Sequence, residues 1–174
     1  MRAFIAIEVP DEVASGITSV SKELAAKGTT LVKKESIHIT THFFADIAEA
    51  DINQVSDAMA KAPLHEFRAE ACGISHFNYR LMFVEITEGR SDMESLYKAL
   101  SERIFVDFDK TKDFVPHITI ARVRASQGTQ RLTSFIGKYE NHSFGRFPVS
   151  KISLKQSTLW DSEPLYTTLF ERKF

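Results

Sequence analysis

The chain has 174 residues, of which 43% are hydrophobic, so it can bury a core and fits one domain or two small lobes. Its 22 basic and 23 acidic residues give a net charge of −1, which argues against coating nucleic acid through bulk charge but allows a local basic cleft. Cys72 is the only cysteine, which excludes an intramolecular disulfide and a thiolate zinc cluster and favours a reducing, cytoplasmic location.

The first half of the chain alternates predicted strands and helices. Residues 1–10 are apolar but too short to span a bilayer and run directly into acidic residues, so we interpret them as a first strand. Asp11 is a plausible N-cap for an amphipathic helix that continues to about Lys27 and ends at Gly28. A strand over residues 37–44 and a helix over residues 48–61 follow.

The second half repeats this alternation of strands and helices. The pattern predicts strands over residues 67–71 and 81–87, a helix over 92–103, a strand over 118–123, a helix over 127–138, and strands near 147–154 and over 166–174. No linker or low-complexity run divides the chain. We therefore expect residues 1–174 to form a single α+β domain.

The most informative feature is a tripeptide, His-Ile-Thr, that occurs at residues 38–40 and again at residues 117–119. The two copies are 79 residues apart and lie in corresponding strands of the two halves, so a weak two-fold internal repeat is plausible. Alternation along a strand places His38, Thr40 and His42 on one face, and His117 with Thr119 on one face.

These residue types suit phosphoryl transfer without a metal. An imidazole has an unperturbed pKa of about 6.5, so near neutral pH one histidine can be a neutral base while the other is a charged acid. A histidine and a threonine at i and i+2 lie roughly 6.5 to 7 Å apart, which lets both reach oxygens of the same phosphate.

Structural explanations compete with this one. The composition alone predicts about 0.45 His-x-Thr matches by chance, and histidines that merely form hydrogen bonds at a sheet edge are the favoured explanation on the tripeptides alone. His38 and His42 have the spacing of a zinc-binding HxxxH motif, but that motif needs a helix, and Ile-Thr-Thr favours a strand, so we predict no metal. On an ideal strand Arg122 faces away from His117, and only a bulge or the end of the strand would let it contact substrate phosphate.

Longer stretches around the tripeptides resemble a known family. Residues 2–10, 38–44 and 114–122 are similar to the first strand and the two HxTx strands of the two-histidine (2H) phosphoesterases, specifically the RNA 2′,3′-cyclic phosphodiesterases, also called 2′-5′ RNA ligases (LigT-like). Residues 157–159 and 164–166 resemble the closing hairpin of that family. The chain departs from it at Glu163, where glycine is usual, and at residues 45–46, where Ala-Asp replaces Gly-Glu.

The resemblance implies a fold and an activity. The fold is bilobal, with two antiparallel sheets and flanking helices related by a pseudo-two-fold axis around a central cleft. The activity is hydrolysis of a terminal 2′,3′-cyclic phosphodiester of RNA to a 2′-phosphomonoester, with His38 as proton donor and His117 as proton acceptor. Thr40 and Thr119 would bind the non-bridging oxygens, and neither a cofactor nor a metal is implied.

The substrate and partners are predicted less narrowly. The expected substrate is RNA with a 2′,3′-cyclic phosphate end or a nucleoside 2′,3′-cyclic phosphate, and reversal would give ATP-independent 2′-5′ ligation. His42 and Arg122 are candidate substrate contacts, and Phe43, Phe77, Tyr79 and Trp160 are candidates for stacking on a base. A phosphodiesterase for small cyclic nucleotides and a non-catalytic RNA-end binding module remain alternatives. We expect a monomer without membrane association.

Overall fold

The structure is a computed structural model that describes residues 1–110, 113–124, 128–160 and 163–174. Its strands and helices follow one another in the order β1 (Arg2–Glu8), α1 (Asp11–Ser21), β2 (Thr29–Leu31), β3 (His38–Phe44), α2 (Ile52–Lys61), β4 (Phe67–Phe77), β5 (Leu81–Ile86), α3 (Arg90–Ser101), β6 (His117–Val123), α4 (Thr129–Tyr139), β7 (Ser143–Val149), β8 (Lys151–Trp160) and β9 (Glu163–Lys173). The order β1-α1-β3-α2 returns as β5-α3-β6-α4, which matches the predicted internal repeat.

The strands form one curled antiparallel sheet. Their order is β7-β4-β5-β6-β3-β1-β8-β9, and β2 also pairs with β6. Strands β4 to β7 form one half of the sheet, and β1, β3, β8 and β9 form the other. The halves meet where β3 and β6 pair at Ile39 and Ile118. The predicted α+β class with antiparallel sheets is therefore confirmed, and the two halves join edge to edge into a single sheet.

The helices cover one face of this sheet. Each helix contributes an apolar stripe to a single core: Val13, Ala14 and Ile17 from α1, Val55, Ala58 and Met59 from α2, Met93, Leu96 and Leu100 from α3, and Leu132, Phe135 and Tyr139 from α4. Ile39 and Ile118 belong to the same core and are fully buried. The side chains that alternate with them therefore point to the opposite face, which we call the site face.

Helix α1 is shorter than predicted. It ends at Ser21, and the chain then tightens into a 3₁₀ turn at Lys22–Leu24 that buries Leu24. Asp11 is not the N-cap: Pro10 occupies that position, while the Asp11 carboxylate lies 2.7 Å from Lys34 Nζ. The predicted start of α4 at Gln127 lies outside the described residues.

The strand predicted near residues 147–154 is in fact two strands. Strand β7 pairs with β4 in one half, and β8 pairs with β1 in the other, so the chain crosses between the halves at Ser150. Strand β4 runs on to Phe77 past a register shift at Cys72 and Gly73, where the positive φ of Gly73 (+84°) accommodates the irregularity. The three-residue strand β2 is too short to give a periodic signal. Within the described ranges, no helix is long and apolar enough to cross a membrane.

Candidate active site

The two His-Ile-Thr tripeptides lie on the adjacent central strands β3 and β6. Because these strands are antiparallel and pair at Ile39 and Ile118, His38 lies on the Thr119 side of the paired position and Thr40 on the His117 side. All four side chains are half-buried on the site face, which agrees with the predicted alternation. The structure thus brings together the histidines and threonines of both tripeptides.

Backbone carbonyl groups fix the tautomer of both histidines. His38 Nδ1 lies 2.7 Å from the carbonyl oxygen of Ser36, and His117 Nδ1 lies 2.7 Å from that of Val115. A carbonyl oxygen can only accept a hydrogen bond, so each Nδ1 must carry a proton. Each Nε2 is therefore the atom that can accept or release a proton, and in neutral His38 this atom accepts a hydrogen bond of 2.9 Å from the hydroxyl of Thr40.

A β-bulge changes the predicted alternation on both central strands. The register against the neighbouring strand skips Thr41 in β3 and Ile120 in β6, three residues after the histidine in each case. Two consecutive residues are consequently buried on the helix side, Thr41 with His42 and Ile120 with Ala121. The next residue in each strand then returns to the site face.

The bulge in β3 removes His42 from the site. The prediction that His42 shares the face of His38 is wrong, because His42 is 1% exposed and packs against α3. Its Nε2 lies 3.0 Å from Ser101 Oγ, and its ring stacks on Tyr97 at 4.7 Å. His42 therefore has no surface to offer a substrate and is a core residue.

The bulge in β6 has the opposite effect on Arg122. An ideal strand would turn Arg122 away from His117, but the extra residue at Ile120 returns its exposed side chain to the site face. Its guanidinium group acts electrostatically on both His117 and Tyr166: it adds to the lowering of the His117 pKa by burial, and it partly offsets burial, which raises the pKa of Tyr166. The equivalent position in β3 is Phe43, which is half-buried.

Aromatic rings surround each histidine. Phe4 stacks on His38 with 4.7 Å between ring centroids, and Tyr166 contacts the same imidazole edge-on at 5.5 Å. Around His117, the ring centroids of Phe77 and Phe83 lie at 5.3 and 5.1 Å.

Sequence analysis named only part of this aromatic set. Phe77 was predicted, and it is 40% exposed beside His117. Tyr79 instead stacks on His76 at 3.8 Å, and Trp160 lies at the exposed end of β8. Phe4 and Tyr166 were missed because their contacts with His38 come from β1 and β9, and no local pattern gives their register with β3.

Comparison with known proteins identifies the family. A sequence model of the 2′-5′ RNA ligase superfamily matches residues 9–158, a range that contains both tripeptides and the strands that carry them. The chain belongs to the 2′-5′ RNA ligase superfamily. The resemblance described under Sequence analysis is therefore confirmed.

Relatives of this superfamily member match along nearly all of its length. The RNA 2′,3′-cyclic phosphodiesterase of Methanocaldococcus jannaschii is 27% identical over 172 residues, which cover 98% of this chain and 99% of the relative. The protein of the same name from Aquifex aeolicus is 28% identical over 181 residues, which cover 98% and 96%.

Solved structures share the fold of this 2′-5′ RNA ligase superfamily member. E. coli LigT complexed with 3′-AMP has a TM-score of 0.82 at 17% identity, with 99% of this chain and 97% of LigT covered. A protein of Thermus thermophilus has a TM-score of 0.78 at 24% identity, with coverage of 99% and 97%.

Burial governs the charge of both histidines in this superfamily member. It lowers the pKa of His38 from 6.5 to about 4, and the positive charge of Lys155 and the neighbouring His117 act in the same direction, while the Ser36 carbonyl opposes them. The pKa of His117 is also lowered, first by burial and then by Arg122. The free protein therefore holds both imidazoles neutral near pH 7, whereas the sequence argument assumed unperturbed values.

An ion-pair network lies beside His38 on the site face. Glu8 lies directly across from His38 in the β1–β3 register, and its carboxylate is 2.7 Å from Lys155 Nζ and 2.9 Å from Lys151 Nζ. The hydrogen bond from Lys155 is the largest cause that lowers the pKa of Glu8. Each histidine thus has one cation near it, Lys155 beside His38 and Arg122 beside His117.

Metal binding was tested on the same side chains. Counting only the residues that the structure describes, no three His, Cys, Asp or Glu side chains are grouped so that they could hold a metal ion. His38 and His42, the pair with HxxxH spacing, point to opposite faces of the sheet. Their arrangement is incompatible with joint coordination of one ion.

Proposed function

We propose that this protein hydrolyses the terminal 2′,3′-cyclic phosphodiester of RNA to a 2′-phosphomonoester without a metal. One observation carries the proposal. His38 and His117 lie on adjacent strands, and in each ring a backbone carbonyl binds the protonated Nδ1, so that Nε2 is the atom available for proton transfer. Two such atoms on one face can remove one proton and supply another in a single displacement at phosphorus. The name shared by the relatives supports the choice of substrate.

His117 is the base and His38 the acid in this proposal. His117 Nε2 takes a proton from a water molecule as its oxygen attacks phosphorus, and the bond between phosphorus and the 3′-oxygen breaks. His38 Nε2 gives its proton to that 3′-oxygen, so the products are a 2′-phosphate and a free 3′-hydroxyl. Each proton transfer is worth roughly 10²- to 10⁴-fold in rate.

The electrostatics of the site are consistent with these roles. A low pKa makes protonated His38 a strong acid, and the negative charge of a bound phosphate favours its protonation. A lowered pKa keeps His117 unprotonated, as a base must be. Thr40 and Thr119 would donate hydrogen bonds to the non-bridging oxygens, and Arg122 would neutralise the charge that develops there.

The same proton transfers can serve a second nucleophile. If a 5′-hydroxyl end of RNA replaces water as the nucleophile, the reaction joins the ends through a 2′-5′ linkage, and the name of the superfamily supports this activity. Because the chemistry involves only the terminal ribose phosphate, nucleoside 2′,3′-cyclic phosphates are expected substrates as well. E. coli LigT, which shares the fold, has been solved with the mononucleotide 3′-AMP.

The test is incubation of the purified protein with a nucleoside 2′,3′-cyclic phosphate and with a cyclic-ended oligonucleotide, both in excess chelator. We expect a 2′-phosphate product from both. His38→Ala and His117→Ala are expected to lose at least about 10²-fold in rate. His65→Ala is the matched control, because the His65 side chain is 70% exposed and lies outside the site.

Two outcomes would contradict the proposal. Unaltered substrate in the presence of binding would leave only the RNA-end binding alternative. A 3′-phosphate product would show that the 2′-oxygen is the leaving group and would exchange the roles of the two oxygens.

The location and oligomeric state are part of the proposal. A cytoplasmic location is supported by the single cysteine, and a monomer is supported by the fact that one chain supplies both His-Ile-Thr tripeptides. Size-exclusion chromatography with light scattering would give a mass near 19.7 kDa for a monomer.

A further inference from the structure

One ion pair joins the two halves of the sheet at the edge of the site. Lys33 Nζ lies 2.6 Å from Oε1 and 2.5 Å from Oε2 of Glu163. Lys33 follows β2, which pairs with β6 in one half, and Glu163 begins β9 in the other half. The contact therefore bridges two different walls of the site.

Both partners are a short chain distance from His38. Ser36, whose carbonyl holds the His38 ring, is three residues after Lys33, and Tyr166, which contacts that ring, is three residues after Glu163. Three extended residues span at most about 10 Å. The ion pair thus lies near the residues that hold and contact the His38 ring.

The ion pair is open to exchange. The side chains of Lys33 and Glu163 are 63% and 59% exposed, so a phosphate can reach the ammonium group from solvent. A phosphodiester carries one negative charge, as Glu163 does, so replacing the carboxylate by a phosphate keeps the lysine neutralised. The neighbouring Lys34 differs in its partner, because its Nζ lies 2.7 Å from Asp11 on α1 and not beside the start of β9.

We propose that Lys33 binds the phosphodiester backbone just upstream of the terminal cyclic phosphate, and that Glu163 competes with RNA for it. The inference rests on the proposed function and specifies the substrate further. A nucleoside 2′,3′-cyclic phosphate has no upstream phosphate, so Lys33 does not strengthen its binding and Glu163 does not weaken it. The pair therefore sets the preference for oligonucleotide over mononucleotide ends.

The readout is the ratio of kcat/KM for a cyclic-ended oligonucleotide to kcat/KM for the matching nucleoside 2′,3′-cyclic phosphate, at low salt. Lys33→Ala is expected to lower this ratio about three- to tenfold, the range of one lysine-phosphate contact. Glu163→Gln removes the competitor and is expected to raise the ratio about two- to fivefold, since exposed ion pairs are weak. A plot of log kcat/KM for the oligonucleotide against log salt is expected to be less steep by about 0.7 in Lys33→Ala.

Lys34→Ala and Asp11→Asn are matched controls. They break an adjacent ion pair of similar exposure whose acidic partner lies on α1, and we expect the ratio to stay as in the unaltered protein. A ratio that is unchanged in both Lys33→Ala and Glu163→Gln would overturn the inference, as would an equal loss in Lys34→Ala. Failure of the proposed function is distinguishable, because the unaltered protein would then hydrolyse neither substrate.

Discussion

The buried state of His38 makes a direct prediction about pH. A general acid must be protonated to act, and kcat/KM reports ionisations of the free protein whereas kcat reports those of the bound complex. With the pKa of His38 at about 4 in the free protein, kcat/KM is expected to fall tenfold per pH unit once the pH lies above the pKa values of both His38 and the base His117. The alkaline limb of kcat is expected at higher pH, because bound phosphate favours the protonated imidazole.

The magnitude follows from the environment of the ring. The difference between 6.5 and about 4 corresponds to about 3 kcal/mol, and burial is its largest cause. Tyr166 is one of two aromatic rings on His38, so Tyr166→Ala is expected to raise the pKa of His38 by about one unit and to move the alkaline limb of kcat/KM upward with it. Tyr166→Phe keeps the ring and is expected to leave the limb in place.

The assay is initial-rate hydrolysis of a nucleoside 2′,3′-cyclic phosphate between pH 4.5 and 9, with the His38 ring followed in parallel by NMR titration of the free protein. The reasoning is refuted if the NMR titration midpoint of His38 lies at or above 6.5. It is also refuted if Tyr166→Ala and Tyr166→Phe shift the alkaline limb of kcat/KM equally, since burial by the aromatic ring would then not be the cause of the low His38 pKa.

Substitutions at three further positions test other parts of the structure. Arg122→Met is expected to lower kcat/KM about 10- to 100-fold, and Arg122→Lys less, because a charge-assisted contact to phosphate is lost; equal rates for all three proteins would exclude a substrate contact. Burial lowers the pKa of His42 to about 4, so as pH falls this imidazole takes up a proton in the unfolded chain before it does so in the folded protein. The free energy of unfolding of the wild type is therefore expected to fall by about 2 kcal/mol between pH 7.5 and 5 because of this residue. Guanidinium unfolding of His42→Phe at both pH values checks this, and an unchanged pH difference would contradict it. Gly73→Ala is expected to destabilise the protein by more than about 1 kcal/mol, because φ is +84° and a Cβ would lie 2.6 Å from the carbonyl oxygen of Glu140. An unchanged melting temperature would contradict this prediction.

The central part of the site could be predicted from local sequence. Strand alternation alone places each histidine beside its threonine on one face, and this holds at Thr40 and Thr119 because the strands are regular up to those residues. The sequence also contains a signal for the break between β7 and β8 at Ser150. Buried apolar residues alternate at Phe147 and Val149, and the alternation shifts by one position to Ile152, which indicates a new strand.

The errors begin where neighbouring strands set the geometry. The bulges at Thr41 and Ile120 exist only relative to β1 and β5, so a single strand's sequence cannot show them, and alternation beyond them gave the wrong face for both His42 and Arg122. The charge of the histidines was missed for the same reason. Their pKa values depend on burial, to which rings from other strands contribute, and not on residues near them in sequence.

The narrow seam between the two halves of the sheet has a mechanical consequence. Strands β3 and β6 pair at one position, Ile39 with Ile118, whereas β1 pairs with β3 at six positions and β5 with β6 at five. A single paired position resists rotation less than a long ladder does, so the sheet bends most easily directly beneath the reacting groups. A small rotation about this hinge changes the separation of the two Nε2 atoms and leaves the hydrogen bonds that orient each imidazole intact. We expect such a rotation to adjust the spacing of the proposed acid and base around a bound phosphorus atom.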